Sequence, residues 1–129
     1  MKHKTLTPLQ AYVTMFLFVE KYFQVTASGT IALFLGSGSL LDDGSTADPA
    51  IWSEWITEVN GMNTITPHQA FAAMHSFLKK FFDGRETENV QILLHDTNPT
   101  TITLVTWQEW MSCIAKNNET ELIKLVLHK

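Results

Sequence analysis

The chain has one cysteine, Cys113, among 129 residues. A lone cysteine makes no internal disulfide and no zinc site by itself, so a reducing compartment fits best. Charged residues are scarce at 17%, and between Lys21 and Lys79 the sequence contains no lysine or arginine. The net charge is −4, which argues against a nucleic-acid binder, because such a protein needs a basic stripe to neutralise phosphates. No uninterrupted apolar run approaches the roughly 18–20 residues of a membrane span.

Targeting and catalytic patterns are missing too. MKHK followed by AYVTMFLFV has the outline of a signal peptide, with Val25–Ala27 as a cleavage site. Glu20 and Lys21 interrupt that apolar run, and a similar segment recurs at 66–82, where export has no meaning. The expectation is a cytoplasmic protein. LGSGS at 35–39 lacks the lysine and the spacing of a P-loop and the spacing of a nucleophile elbow, and reads as a connector.

The five histidines make no ligand set. His68 and His75 are seven apart, which puts about 10 Å of helical rise between them, while His95 and His128 have no partner at ligand spacing. Cys113, in WMSCIA, falls on an apolar helix face with nothing to activate it. No catalytic residues, no metal, no cofactor and no enzymatic activity are expected.

What is present is an internal likeness. TPLQAYVTMFLFVEKYFQV (7–25) and TPHQAFAAMHSFLKKFFDG (66–84) align at an offset of 59, with Thr7/Thr66, Pro8/Pro67, Gln10/Gln69, Ala11/Ala70, Met15/Met74, Phe18/Phe77, Lys21/Lys80 and Phe23/Phe82 identical. The same offset lays IALFL (31–35) on VQILL (90–94). After a four-residue difference in the connection, IWSEWI (51–56) lies on TWQEWM (106–111). The expectation is one all-α domain over 1–129, built from two tandem copies of a helical unit, about 6–60 and 65–117, followed by a helix over about 119–128.

The local chemistry explains the repeated phrase. In T-P-x-Q the threonine side chain accepts the N–H three residues on, and the glutamine returns a bond to the threonine N–H. Proline at the first helical position forfeits no bond. Helices are expected from these phrases to about 25 and 83. Their core faces are Ala11, Tyr12, Met15, Phe18, Val19 and Tyr22, and Ala70, Phe71, Met74, Phe77, Leu78 and Phe81. Asp48 and Pro49 begin a third helix, with Trp52, Trp55, Ile56 and Val59 on one face. Its counterpart begins at Thr103 or Thr106 and carries Trp107, Trp110, Met111 and Ile114. TTITLV (100–105) is β-branched and reads as helix or short strand. The W-x-E-W pairs read as core packing over a ligand-stacking platform.

Two surfaces stand out. Asp42, Asp43, Asp48, Glu54 and Glu58 fall within seventeen residues. They form either a solvated acidic face, with Glu54 and Glu58 one turn apart and Asp48 a cap, or a face that a basic partner neutralises. Leu9, Val13 and Phe16 make a second apolar stripe on the first helix, opposite its core face. Either the rest of the domain, such as the last helix, encloses that stripe, or it contacts another chain, which leaves a homodimer open.

The pattern L-L-x-D-G-x-x-x-D-P-A-x-W-x-x-W in LGSGSLLDDGSTADPAIWSEWI, preceded by LTPLQAYVTMFLFVEKYF, resembles small immunity proteins of bacterial contact-dependent growth inhibition systems. The resemblance covers residues 6–59 and is looser over the second half, which lacks the D-G-x-x-x-D-P segment. It implies a cytoplasmic inhibitor that binds the C-terminal toxin domain of one cognate protein, commonly a basic nuclease. The acidic residues 42–58 would then steer association and cover the nucleic-acid cleft, with no direct nucleic-acid binding and no membrane. The alternative is a tandem-repeat adaptor that self-associates through Leu9, Val13 and Phe16.

Overall fold

A computed structural model describes residues 5–26, 28–41 and 45–115, without the side chains of Tyr22, Phe23, Val25 and Thr26. The described chain is all-α. Six helices follow one another: α1 Pro8–Thr26, α2 Gly29–Ser37, α3 Pro49–Glu58, α4 Pro67–Phe81, α5 Glu88–Asp96 and α6 Leu104–Ala115. The helix expected over 119–128 lies outside the described residues, as do Asp42 and Asp43.

Both T-P-x-Q phrases start helices by the expected chemistry, with matching geometry. The Thr7 N–H donates to Gln10 Oε1 at 2.9 Å and the Gln10 N–H to Thr7 Oγ1 at 3.1 Å. The bonds of Thr66 and Gln69 have the same two lengths. Immediately before these caps, Leu6 and Ile65 form an antiparallel bridge, each N–H donating to the other's carbonyl at 2.8 Å. The two helix starts are thereby pinned side by side.

The two apolar segments after the long helices are themselves helices. Ser28 caps α2 through the Ile31 N–H, and Thr87 caps α5 through the Val90 N–H. Asp48 caps α3 by accepting from the Ala50 N–H, with Pro49 opening the helix. The 100–105 segment contains no strand. The Thr103 hydroxyl accepts the Thr106 N–H and its carbonyl the Trp107 N–H, so α6 begins at Leu104 in spite of the β-branched run. A capping threonine overrides a weak strand preference there.

The third helix of each half packs on the first helix of the other: α3 against α4, and α6 against α1. Trp55 meets Phe77 edge to face, and Trp110 meets Phe18 in the same way. Each of these tryptophans also reaches its own half: Trp55 Nε1 donates to the Pro8 carbonyl at 2.9 Å and Trp110 Nε1 to the Pro67 carbonyl at 3.1 Å. Both are fully buried, and a buried indole N–H needs such an acceptor. Trp52 and Trp107 are half-buried, lying against Tyr12 and Phe71 respectively. One core therefore runs through both halves.

Tyr12 fixes the connection after α2. Its hydroxyl donates to the Gly38 carbonyl at 2.5 Å, and burial pushes its pKa well up, which keeps the hydroxyl a donor. A Cβ at position 38 would lie 2.5 Å from that oxygen, so glycine is needed for close approach. LGSGS is thus partly helix and partly a packed cap.

Candidate functional site: the outer face of α3

Helix α3 turns Ile51, Trp55 and Val59 inward and leaves Ser53, Glu54 and Thr57 exposed. Trp55 secures the inner side through Pro8, Tyr12 and Phe77. The segment before α3 is tied down as well. The Leu40–Thr46 bridge closes it, the Ala47 and Asp48 N–H groups donate to the carbonyls of Ser39 and Ser37, and Thr46 Oγ1 accepts from the Trp52 N–H. The outer face of α3 accordingly sits on a fixed mount.

The five acidic residues singled out by sequence do not behave alike. Glu54 is exposed and Asp48 is exposed while capping α3 through Oδ1. Glu58 departs from the expected solvated position: its side chain retains 11% exposure, and Oε2 accepts a 2.8 Å bond from Lys80 Nζ. The lysine arrives from α4, although the sequence around Glu58 has no cation. Asp42 and Asp43 are outside the described residues. What the structure brings together is Ser53, Glu54, Thr57 and Lys80, around a shallow cavity of about 290 Å³. A second depression of about 450 Å³ lies between α2 and the start of α3, lined by Ala32, Leu33, Gly36, Ser37, Ala47 and Asp48.

The self-association stripe is covered from within the chain. Val13 and Phe16 are buried and Leu9 is half-buried. The cover over Phe16 is α2, whose Phe34 ring lies 6.2 Å away. Helix α1 is apolar nearly all round because α2 takes up its second face.

His75 Nδ1 lies 3.2 Å from Thr97 Oγ1. Burial first, and Lys79 second, hold its pKa below the usual imidazole value, against a backbone hydrogen bond at Leu94. His68 stacks on Trp107 with ring centroids 4.4 Å apart. Cys113 is buried on the inner side of α6. Among the described residues no three His, Cys, Asp or Glu side chains are grouped to hold a metal ion, and no helix is long and apolar enough to cross a membrane.

Sequence reasoning missed Lys80 as a member of the α3 face and the cluster of Leu104 and Val105, which are 70% and 64% exposed at the start of α6. The identity of Lys21 and Lys80 at aligned positions of the two phrases was a sign that position 80 mattered, but it carried no hint of Glu58. No family model, no curated protein and no solved structure matches this chain.

Proposed function

We propose that this chain is an immunity protein of the contact-dependent growth inhibition type, which binds a cognate toxin domain in the cytoplasm and neutralises it without catalysis or cofactor. The observation that carries the reading is the mounted, outward face of α3. Its inner residues are locked by Trp55, so the backbone that carries Glu54 and Asp48 is already ordered before binding. The supporting sequence features are the resemblance over residues 6–59 and the absence of lysine and arginine from 22–78. A basic, nuclease-like domain is the complementary partner, drawn in by the negative field. Lys80 neutralises Glu58, so Glu54, Asp48 and the Asp42–Asp43 pair carry the steering charge.

The same reading takes the two halves as copies of one unit of about 55–60 residues. It draws on the matched capping boxes and the matched indole bonds to Pro8 and Pro67. The self-associating adaptor gains nothing from Leu9, Val13 and Phe16, because two of the three are interior.

The test is co-expression with the toxin domain encoded beside it. Growth rescue with co-purification is expected. Glu54→Lys combined with Asp42→Lys should slow association about tenfold at low salt and flatten its salt dependence, with an unchanged Tm. Failure to bind any such domain overturns the function, whereas binding with an unchanged rate overturns only the choice of face.

A further inference from the structure

The two halves share one interior, yet little chain joins them. Across that interior Phe18 packs on Trp110, Trp55 on Phe77, and Phe34 on Phe77. The Leu6–Ile65 bridge and the 2.8 Å contact of Glu58 with Lys80 cross it as well. Each of these contacts joins a residue before position 60 to one after position 64.

The link itself is Asn-Gly-Met-Asn-Thr, residues 60–64. Asn60, Gly61, Asn63 and Thr64 are exposed, and Met62 is half-buried. The backbone doubles back through two successive residues in the left-handed region, Asn60 at φ 56° and Gly61 at φ 65°. Glycine adopts that conformation freely, whereas a residue with a side chain is held there at a cost. The bonds that close the turn are local: the Gly61 N–H donates to the Ile56 carbonyl and the Met62 N–H to the Val59 carbonyl, both at 3.1 Å. Straightening the link gives up these bonds, relieves Asn60 and leaves the contacts within each half unchanged. Five extended residues span about 17 Å, which gives the second half room to swing away from the first.

We propose that the chain exchanges halves with a second copy of itself: the 60–64 link opens, and the first half of each molecule packs on the second half of the other. Trp55 then meets Phe77 of the second copy, Glu58 meets its Lys80 and Leu6 its Ile65. The exchanged dimer makes every cross-half contact twice, so link conformation and mass action decide between it and the monomer. In the monomer the tether holds the halves at high effective concentration, which favours the closed form in dilute solution. Phe16 stays covered by Phe34 of its own half, so the stripe of Leu9, Val13 and Phe16 takes no part. The exchange is independent of the toxin-binding reading.

Refolding the full chain from urea at low and at high protein concentration, with light scattering on a sizing column, tests it. A dimer should form only at high concentration and should persist for hours after dilution, because reversal requires the shared interior to open. Gly61→Val puts a β-branched side chain at φ 65° and should raise the dimer-to-monomer ratio about tenfold, while Asn60→Gly should lower it. Charge exchange identifies the contact. Glu58→Lys alone or Lys80→Glu alone sets like charges against each other in every interface, closed or exchanged. Refolded together, the two variants restore opposite charges at both interfaces of a heterodimer. The mixture should therefore give about fivefold more dimer than either variant alone, with one chain of each kind. The proposal is overturned by a chain that stays monomeric at every concentration, by a dimer that dissociates at once on dilution, by a ratio that Gly61→Val leaves unchanged, or by a mixture no more dimeric than its components.

Discussion

Trp55 of α3 meets Phe77 of α4 edge to face, with ring centroids 5.4 Å apart and planes at 86°. The pair Trp110 and Phe18 repeats the contact at 5.6 Å and 83°. In each case the tryptophan comes from one half of the chain and the phenylalanine from the other. The halves are therefore joined by aromatic rings that each half lends to its neighbour.

Phe77→Leu and Phe18→Leu should consequently cost similar amounts, about 1–2 kcal/mol each, from lost ring contact and a small residual void. Urea unfolding should show two lowered midpoints with an unchanged slope. A large loss at one site beside none at the other would mean that the two contacts are not energetically equivalent.

The two capping boxes permit a stricter comparison. Because their hydrogen bonds have the same lengths, Thr7→Ala and Thr66→Ala should each lower stability by about 1 kcal/mol. The Leu6–Ile65 bridge holds the two caps side by side, so the double variant should depart from the sum of the two single losses. Thermal or urea denaturation of the three variants measures this directly.

Position 38 is expected to show coupling. Gly38→Ala places a Cβ against the Tyr12 hydroxyl, and overpacking of that kind costs about 1–3 kcal/mol. Tyr12→Phe alone forfeits a buried hydrogen bond and leaves the Gly38 carbonyl short of a partner, about 1–2 kcal/mol. Combined, Tyr12→Phe removes the very atom that clashes, so the double variant should be more stable than the sum of the two single losses predicts. Strict additivity would show that the clash is relieved by some other movement.

His75 should make stability depend on pH. Its folded pKa lies below the ordinary value near 6.5, chiefly through burial and then through Lys79. The unfolded chain therefore binds a proton more readily than the folded one. The favourable contribution is complete above about pH 6.5 and is lost as pH falls from there through the folded pKa. His75→Gln should reduce the fall in Tm between about pH 7.5 and about pH 5. An identical fall in both proteins would assign the effect to other groups.

Much of the scaffold was written locally. The T-P-x-Q phrases, the Asp48–Pro49 start and the spacing of Ala11, Tyr12, Met15, Phe18 and Val19 each act within a turn or two, and each is found as expected. The pairings between distant segments were not legible. Nothing near Phe16 indicates that Phe34 covers it, and nothing near Glu58 announces Lys80, since both partners arrive through helix packing. The strand-like run 100–105 misled because its propensity is a preference for pleated surroundings, while Thr103 supplies a specific helix start. At the candidate site, the sequence located the acidic residues but not which of them is already neutralised or occupied as a cap.

The loan of rings has a consequence for how the polypeptide tolerates being cut. A break introduced in the exposed turn around Asn63 and Thr64 would yield two pieces, one holding Trp55 without Phe77 and the other Trp110 without Phe18. Neither piece would possess a sealed interior, yet each would carry what the other lacks, including one side of the Leu6–Ile65 bridge. Such fragments are built to find one another in trans, and a nick that would sever an ordinary two-domain protein would here leave a reassociating pair.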